Sequence, residues 1–367
     1  MSDLLRIPTL DLDDVQSGDA TRRARAAEAV REGLGVFGLV YVRSHGVDAK
    51  AVDALYERFQ AFCARPDVEK QAYARKDLWY QRGWTPPNTE VAIASGGQPD
   101  FKECFFAAPL PLDEAAKLEY PALYPENVWP DGDAAFRELY MLVGRQLHEA
   151  GEALLVACAR ALGLEPDTFT SRIQKGAHVT RVLRYLPLSA EQVNTGLVWG
   201  EEHTDFNLLT LLPGGRFYDP AGRASARPDD LSGLYLRTRP TPEHPNGLKV
   251  RGTPPEGCIV AQVGQELEIL TGGAFQATPH VITAPGVPGY SRLSSAHFIH
   301  VHSNEVLRPL PPFRTEKAIA AYAPPVLAGT YAMKTLVDIG LAPRETLDAL
   351  GYRHYDRLAT IHAGERR

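Results

Sequence analysis

The chain has 367 residues, 44% of them hydrophobic and 23% charged, which is the balance of a soluble globular protein and not of a disordered or fibrous one. A formal net charge of −6 leaves no basic excess of the kind a nucleic-acid partner needs. No run approaches the ~18 consecutive apolar residues of a membrane helix, and Met1–Arg6 lacks the basic-then-apolar order of a secretory leader. Cys63, Cys104, Cys158 and Cys258 are scattered without C-x-x-C spacing, so buried free thiols in a reducing compartment are expected. These features predict a cytoplasmic protein with neither a nucleic-acid nor a membrane partner.

In chain order, Ile7–Leu12 reads as a short edge strand. Residues 19–34 read as an amphipathic helix, with Ala26, Ala27, Val30 and Leu34 at helical spacing. Gly35 should stop it, and Val36–Arg43 reads as a buried strand. A second helix is predicted over Ala49–Cys63, with Val52, Leu55, Phe59 and Phe62 on one face. Between Tyr80 and Pro111, aromatics interleave with Gly and Pro, as in loop and strand at a barrel mouth. Ala134–Leu162 reads as a long helix, stopped by Gly163, with His148 as an ordinary histidine of its surface or core. Strands then dominate: Val179–Tyr185, Thr204–Leu212, Leu234–Arg237, Gly257–Val263, Leu267–Leu270, His280–Ile282 and Ser291–His302. Short helices follow at Glu316–Ala323, Val326–Ile339 and Arg344–Ala349. Many short consecutive strands point to a double-sheet jelly roll, and no G-x-G-x-x-G follows a strand, so a dinucleotide fold is excluded.

Within the strand-rich part, His203-Thr204-Asp205 offers an imidazole and a carboxylate two residues apart. On one strand these would face the same side. His280, after Gly272-Gly273-Ala274-Phe275, adds a second imidazole. Two His and one carboxylate with open positions form the ligand set of non-haem Fe(II) oxygenases. Arg292-Leu293-Ser294 places a guanidinium and a hydroxyl on one strand face, suited to a carboxylate.

At these residues the chain resembles the isopenicillin N synthase-like family of Fe(II)/2-oxoglutarate oxygenases. The likeness extends to Ile7-Pro8-Thr9-Leu10-Asp11-Leu12, to Phe37–Val47, and to Pro99-Asp100-Phe101-Lys102-Glu103. It continues in Asn127-Val128-Trp129-Pro130 and Thr180–Tyr185, and so runs from about Ile7 to about Pro311 in the family's order. It implies a mainly β protein with flanking α-helices around a distorted double-stranded β-helix, a cupin-like jelly roll. One domain is expected over 1–367, with an N-terminal α/β part of about 1–175, a jelly-roll core of about 176–312 and C-terminal helices of about 313–367.

The resemblance implies His203, Asp205 and His280 as catalytic iron ligands. Arg292, Ser294, Tyr185 and Arg181 would bind the cosubstrate, Arg181 doing so only if it is not spent on an internal salt bridge. Phe206, Phe298, Glu90 and Trp84 are candidate substrate contacts. His297, His300 and His302 read as polar strand-end residues more readily than as a second metal site. The implied cofactors are Fe(II), 2-oxoglutarate and O2, and the implied reaction oxidises a small molecule, by default through hydroxylation, with release of succinate and CO2. Two alternatives stay open: an iron oxidase of this fold that needs no 2-oxoglutarate, and a non-catalytic ligand-binding relative. Substrate identity and oligomeric state are not legible. The 75-residue gap between Asp205 and His280 exceeds the family's usual spacing, and its extra length falls in Pro213–Pro255, read as either a solvated connector or a lid.

Overall fold

The computed structural model describes residues 6–89, 101–193, 195, 199–240, 242 and 244–350. Its first strand, β1 (Thr9–Asp11), runs parallel to β2 (Leu39–Arg43). Between them, a helix over Ala20–Glu32 does not stop at Gly35. It widens into a π-turn over Gly33–Phe37, which Gly38 ends in the left-handed region at φ 64°. The strand therefore starts three residues later than periodicity predicts.

The Ala49–Cys63 helix is capped by the Asp48 carboxylate on the Lys50 amide (2.8 Å), and Val52, Leu55, Phe59 and Phe62 lie inward. Burying each such side chain contributes roughly 1.5–3 kcal/mol. The 28-residue helix Ala134–Ala161 starts at an Asp133 cap and packs on both earlier helices and on the sheet.

Between these helices lie β3 (Gly83–Thr85) and β4 (Lys102–Ala107), and after the long helix comes β5 (Val179–Tyr185). Next are β6 (Gly200–His203), β7 (Leu209–Leu212), β8 (Arg216–Tyr218), β9 (Ala224–Ser225), β10 (Gly233–Arg237) and β11 (Lys249–Arg251). The last three of the core are β12 (Ile259–Val263), β13 (His280–Thr283) and β14 (Ser291–Ile299). One sheet takes the order β1-β2-β12-β7-β14-β5-β4-β3, with β8 and β9 added beside β14. The other is β11-β10-β13-β6. The architecture is a jelly-roll core with flanking helices, as expected, and both ends of the larger sheet come from the N-terminal part of the chain.

Three expectations are corrected. Thr204–Leu212 is not one strand, because His203 ends β6 and β7 starts only at Leu209. Leu267–Leu270 belongs to a helix, Gln265–Leu270, whose five residues from Glu266 onward are all buried; a helix covered on every side shows no helical stripe. Pro213–Pro255 is neither plain connector nor loose flap, since it carries β8 to β11 and extends both sheets.

Candidate functional site

A cavity of about 580 Å³ lies between the two sheets. β13 and β6 pair so that His280 stands directly opposite His203. Asp205 follows His203 in the turn toward β7, so the carboxylate reaches the two imidazoles from a bend and not from the strand itself. Ligand atoms of the three residues all lie within 4.8 Å of one another. His203 Nε2 is 3.7 Å from Asp205 Oδ1, and His280 Nε2 is 3.8 Å from the same oxygen. This is the single group of three or more such side chains among the described residues that could hold a metal ion.

The atoms behind this triangle fix its orientation. His203 Nδ1 lies 2.7 Å from the Glu201 carbonyl oxygen. That contact is a hydrogen bond only if Nδ1 carries the proton, which leaves the Nε2 lone pair for a metal. His280 Nδ1 is 3.3 Å from the Thr278 carbonyl oxygen and 2.6 Å from the side-chain amide of Gln262. With the Gln262 amide turned so that its oxygen faces His280, Nδ1–H donates to Oε1, an atom otherwise buried without a partner. The Thr210 hydroxyl donates to Asp205 Oδ2 at 2.7 Å, leaving Oδ1 toward the imidazoles.

The electrostatics agree with this arrangement. Burial alone would push the Asp205 carboxyl up, but the facing His280 and His203, the Thr210 hydroxyl and Arg181 hold it below the ordinary carboxylate value. Burial, followed by the neighbouring His203, lowers His280 to about 4, so that imidazole is neutral and able to ligate.

The turn bearing Asp205 is held by the helix that sequence periodicity hides. Gln265 N donates to the Asp205 carbonyl at 2.8 Å, and Glu266 N donates to that of Asn207 at 3.1 Å. Gly264 permits this approach, since a Cβ there would stand 1.9 Å from the Asn207 carbonyl oxygen. Gln265 also bonds to Thr204 Oγ1 and accepts from the Tyr331 hydroxyl, while Tyr322 donates to Glu268 at 3.0 Å. The C-terminal helices thus clamp the buttress from outside.

Across the cavity, Arg292, Ser294, Ala296 and Phe298 line one face of β14, and Tyr185, Leu183 and Arg181 lie opposite on β5 in register. Arg292 is only 8% exposed, and its guanidinium carbon stands 5.5 Å from the Tyr185 ring centre. Burial lowers its pKa. Its Nη1 is buried with no hydrogen-bond partner among the described residues. The Gly214-Gly215 turn, held by the Tyr56 hydroxyl on the Gly214 carbonyl (2.8 Å), lies flat against the guanidinium, where a Cβ on Gly215 would fall 2.3 Å from Nη2. Arg181 lies over the Phe298 ring at 5.1 Å and the Phe106 ring at 5.5 Å.

Of the other expected contacts, Phe298 lines the cavity. Trp84 does not: it is buried in the helix-side core and donates its indole N–H to Glu103 at 2.9 Å. Phe206 also lies off the cavity wall, with its ring 5.2 Å from that of His300. Glu90 lies outside the described residues. His297 is buried between Thr180 and His148, and His300 faces Glu266 at 3.6 Å. His302 faces Asp113 at 3.2 Å. Three cysteines are buried, but Cys258 is half-buried at the cavity. Sequence reasoning missed Gln262, Thr210, Gly215 and Arg227. A lone amide within Ile259-Val260-Ala261-Gln262-Val263 was the one readable signal.

Residues 7–132 match the family model described as the N-terminal region of non-haem dioxygenase in morphine synthesis. The chain is 26% identical to validamycin A dioxygenase of Streptomyces hygroscopicus subsp. limoneus over 83% of its own length and 79% of the relative's. It is also 26% identical to the 2-oxoglutarate-dependent dioxygenase imqE of Aspergillus flavus, over 88% and 92%. A 2OG-Fe(II) oxygenase family protein of Caulobacter crescentus superposes with a TM-score of 0.71 at 26% identity, covering 91% of this chain and 99% of that one. With the geometry above, these likenesses mark the chain as similar to the Fe(II)/2-oxoglutarate-dependent oxygenases.

Proposed function

We propose that His203, Asp205 and His280 bind the Fe(II) of this dioxygenase, and that Arg292, Ser294 and Tyr185 hold the distal carboxylate of 2-oxoglutarate. The observation that carries this reading is the buried, partnerless Nη1 of Arg292 in the same cavity as the three ligand atoms. A buried guanidinium with a free donor calls for an anion. Two imidazoles presenting Nε2 and one carboxylate leave half of an octahedral shell open, which suits Fe(II) with a chelating oxo acid. Iron and oxo acid together would supply O2 activation, with 2-oxoglutarate ending as succinate and CO2 and one oxygen atom available to the substrate.

The protein's own part is positional. Arg292 pairs with the distal carboxylate, the Ser294 hydroxyl donates beside it, and Thr210 keeps Asp205 turned toward the metal. Phe298, Leu183 and Ile282 keep water from the reacting end. Arg181, whose charge reaches Asp205 and His280, orients an anionic group of the substrate. Five cationic side chains line the cavity against Asp205 and Glu256, which supports a small organic anion as substrate. Net charge −6 supports a protein without a nucleic-acid partner, and no described helix is long and apolar enough to cross a membrane. We read the chain as one domain working in the cytoplasm.

The test is oxygen uptake and succinate release by the Fe(II)-loaded protein across a panel of small carboxylic acids. Uptake should require 2-oxoglutarate, and Arg181→Leu should uncouple it from substrate oxidation. Uptake without an oxo acid would point to an iron oxidase, and no uptake with any acid to a non-catalytic relative. Unchanged coupling in Arg181→Leu would reduce that residue to a structural cation.

A further inference from the structure

The insertion between the metal-binding strands delivers a second guanidinium to the cosubstrate end of the cavity. Register places it: Arg292 on β14 pairs with Phe217 on β8, and Phe217 pairs with Ser225 on β9. Two residues beyond Ser225, Arg227 turns back toward the cavity and is half-buried in its wall. Its Nη2 donates to the Thr253 hydroxyl at 2.6 Å, which ties it to the far end of the same insertion. Among the described residues, no carboxylate comes within ion-pair distance of Arg227 or of Arg292. The nearby Arg216 is paired with Asp53 at 2.8 Å, and Asp229 accepts from the amides of Leu231, Ser232 and Gly286. The charge of Arg227 is felt at Arg292, where it adds to burial in lowering that guanidinium's pKa. Two like charges facing one cavity without a counter-ion repel each other until an anion arrives.

We propose that Arg227 and Arg292 together grip the distal carboxylate of the oxo acid, making the insertion a wall of the cosubstrate pocket. The proposal rests on the reading of Arg292 given above. A carboxylate has two oxygens and room for about four hydrogen bonds. Arg292 and Ser294 reach it from β14, and Arg227 reaches it from the chain just beyond β9. Arg227 is therefore a positioning residue for the cosubstrate and selects for an oxo acid with a second carboxylate.

The experiment is calorimetric titration of the full-length, Ni(II)-loaded protein with 2-oxoglutarate and with 2-oxopentanoate, which lacks the distal carboxylate. Arg227→Met should weaken 2-oxoglutarate roughly tenfold, the scale of one partly solvated charge-assisted contact, and leave 2-oxopentanoate unchanged. Arg227→Lys should restore part of the loss. Thr253→Val, which frees the guanidinium without removing it, should weaken 2-oxoglutarate by a smaller factor. Unchanged 2-oxoglutarate affinity in Arg227→Met, or an equal loss for both acids, would overturn the proposal. Wild-type protein that binds no 2-oxoglutarate would instead overturn the assignment of Arg292.

Discussion

The smallest parts of the site act on one another through hydrogen bonds that set tautomers and orientation. Gln262 is the clearest case: its side-chain amide lies 2.6 Å from His280 Nδ1, and with the oxygen turned toward the ring it accepts from Nδ1–H and leaves Nε2 for a metal. Gln262→Leu keeps the bulk of the side chain and removes that acceptor. We expect metal affinity to fall roughly 10- to 100-fold, the range for losing such a partner, with little change in melting temperature. Gln262→Glu should recover most of it. Metal titration by calorimetry checks this, and unchanged affinity in the Leu variant would show that the Thr278 carbonyl alone orients the ring. At this scale the sequence was informative about ligands and poor about their supports. His203, Asp205, His280, Arg292 and Ser294 carry side chains whose types announce their chemistry. Gln262 and Gly215 matter through where the fold puts them, and neither residue type signals that.

At the scale of elements, the Gln265–Leu270 helix has the largest effect for its size. It holds the bend bearing Asp205 by two backbone hydrogen bonds and is itself held by Tyr322 and Tyr331. Gly264→Ala should drive a Cβ into the Asn207 carbonyl, costing about 1–3 kcal/mol of stability as overpacking does, and should loosen Asp205. The expected outcome is a lower melting temperature together with weaker metal binding. A variant with wild-type values of both would mean that the bend yields without consequence. The long helices over 49–63 and 134–161 were legible because a 3.6-residue apolar stripe meets solvent on its other side. The buttress helix was not, since all five residues after Gln265 are buried and periodicity needs contrast. Within the insertion only β10 was legible, as Leu234–Arg237; strands of two or three residues among Gly, Pro and Arg, such as β8, β9 and β11, show too few alternations to count.

Across the whole molecule, the long helix is joined to the larger sheet through imidazoles. His148 Nδ1 lies 3.2 Å from His297 Nε2, His297 Nδ1 lies 2.9 Å from Thr180 Oγ1, and the His148 and His178 rings are 4.5 Å apart. Burial lowers His148 to about 4 and holds His178 and His297 well below the usual histidine value. In the unfolded chain each imidazole takes up a proton below about pH 6.5, while in the folded chain they stay neutral. Stability contributed by the neutral cluster is therefore present above pH 6.5 and lost as pH falls toward 4, at about 1.4 kcal/mol per pH unit for each group that resists protonation. His297→Gln should make the melting temperature fall less steeply between pH 7 and 5, even if its value at pH 7 is lower. An unchanged slope would count against the cluster as the acid-sensitive element. The jelly roll itself was legible in outline, from many short strands in the second half. That the N-terminal strands close both ends of the larger sheet was not, because pairing between residues some 200 positions apart, such as Val42 and Ile259, leaves no local trace.

The proposed bridge between the metal triangle and the partnerless Nη1 of Arg292 is one shared ligand, 2-oxoglutarate. Its most direct test is an anaerobic visible difference spectrum of the Fe(II)-loaded protein titrated with 2-oxoglutarate, repeated with Arg292→Gln and His203→Ala. Wild-type protein should give a saturable new band. Arg292→Gln should give the same band at a markedly higher 2-oxoglutarate concentration, and His203→Ala should give none. A wild-type spectrum that 2-oxoglutarate leaves unchanged, or the same midpoint with Arg292→Gln, would contradict the account.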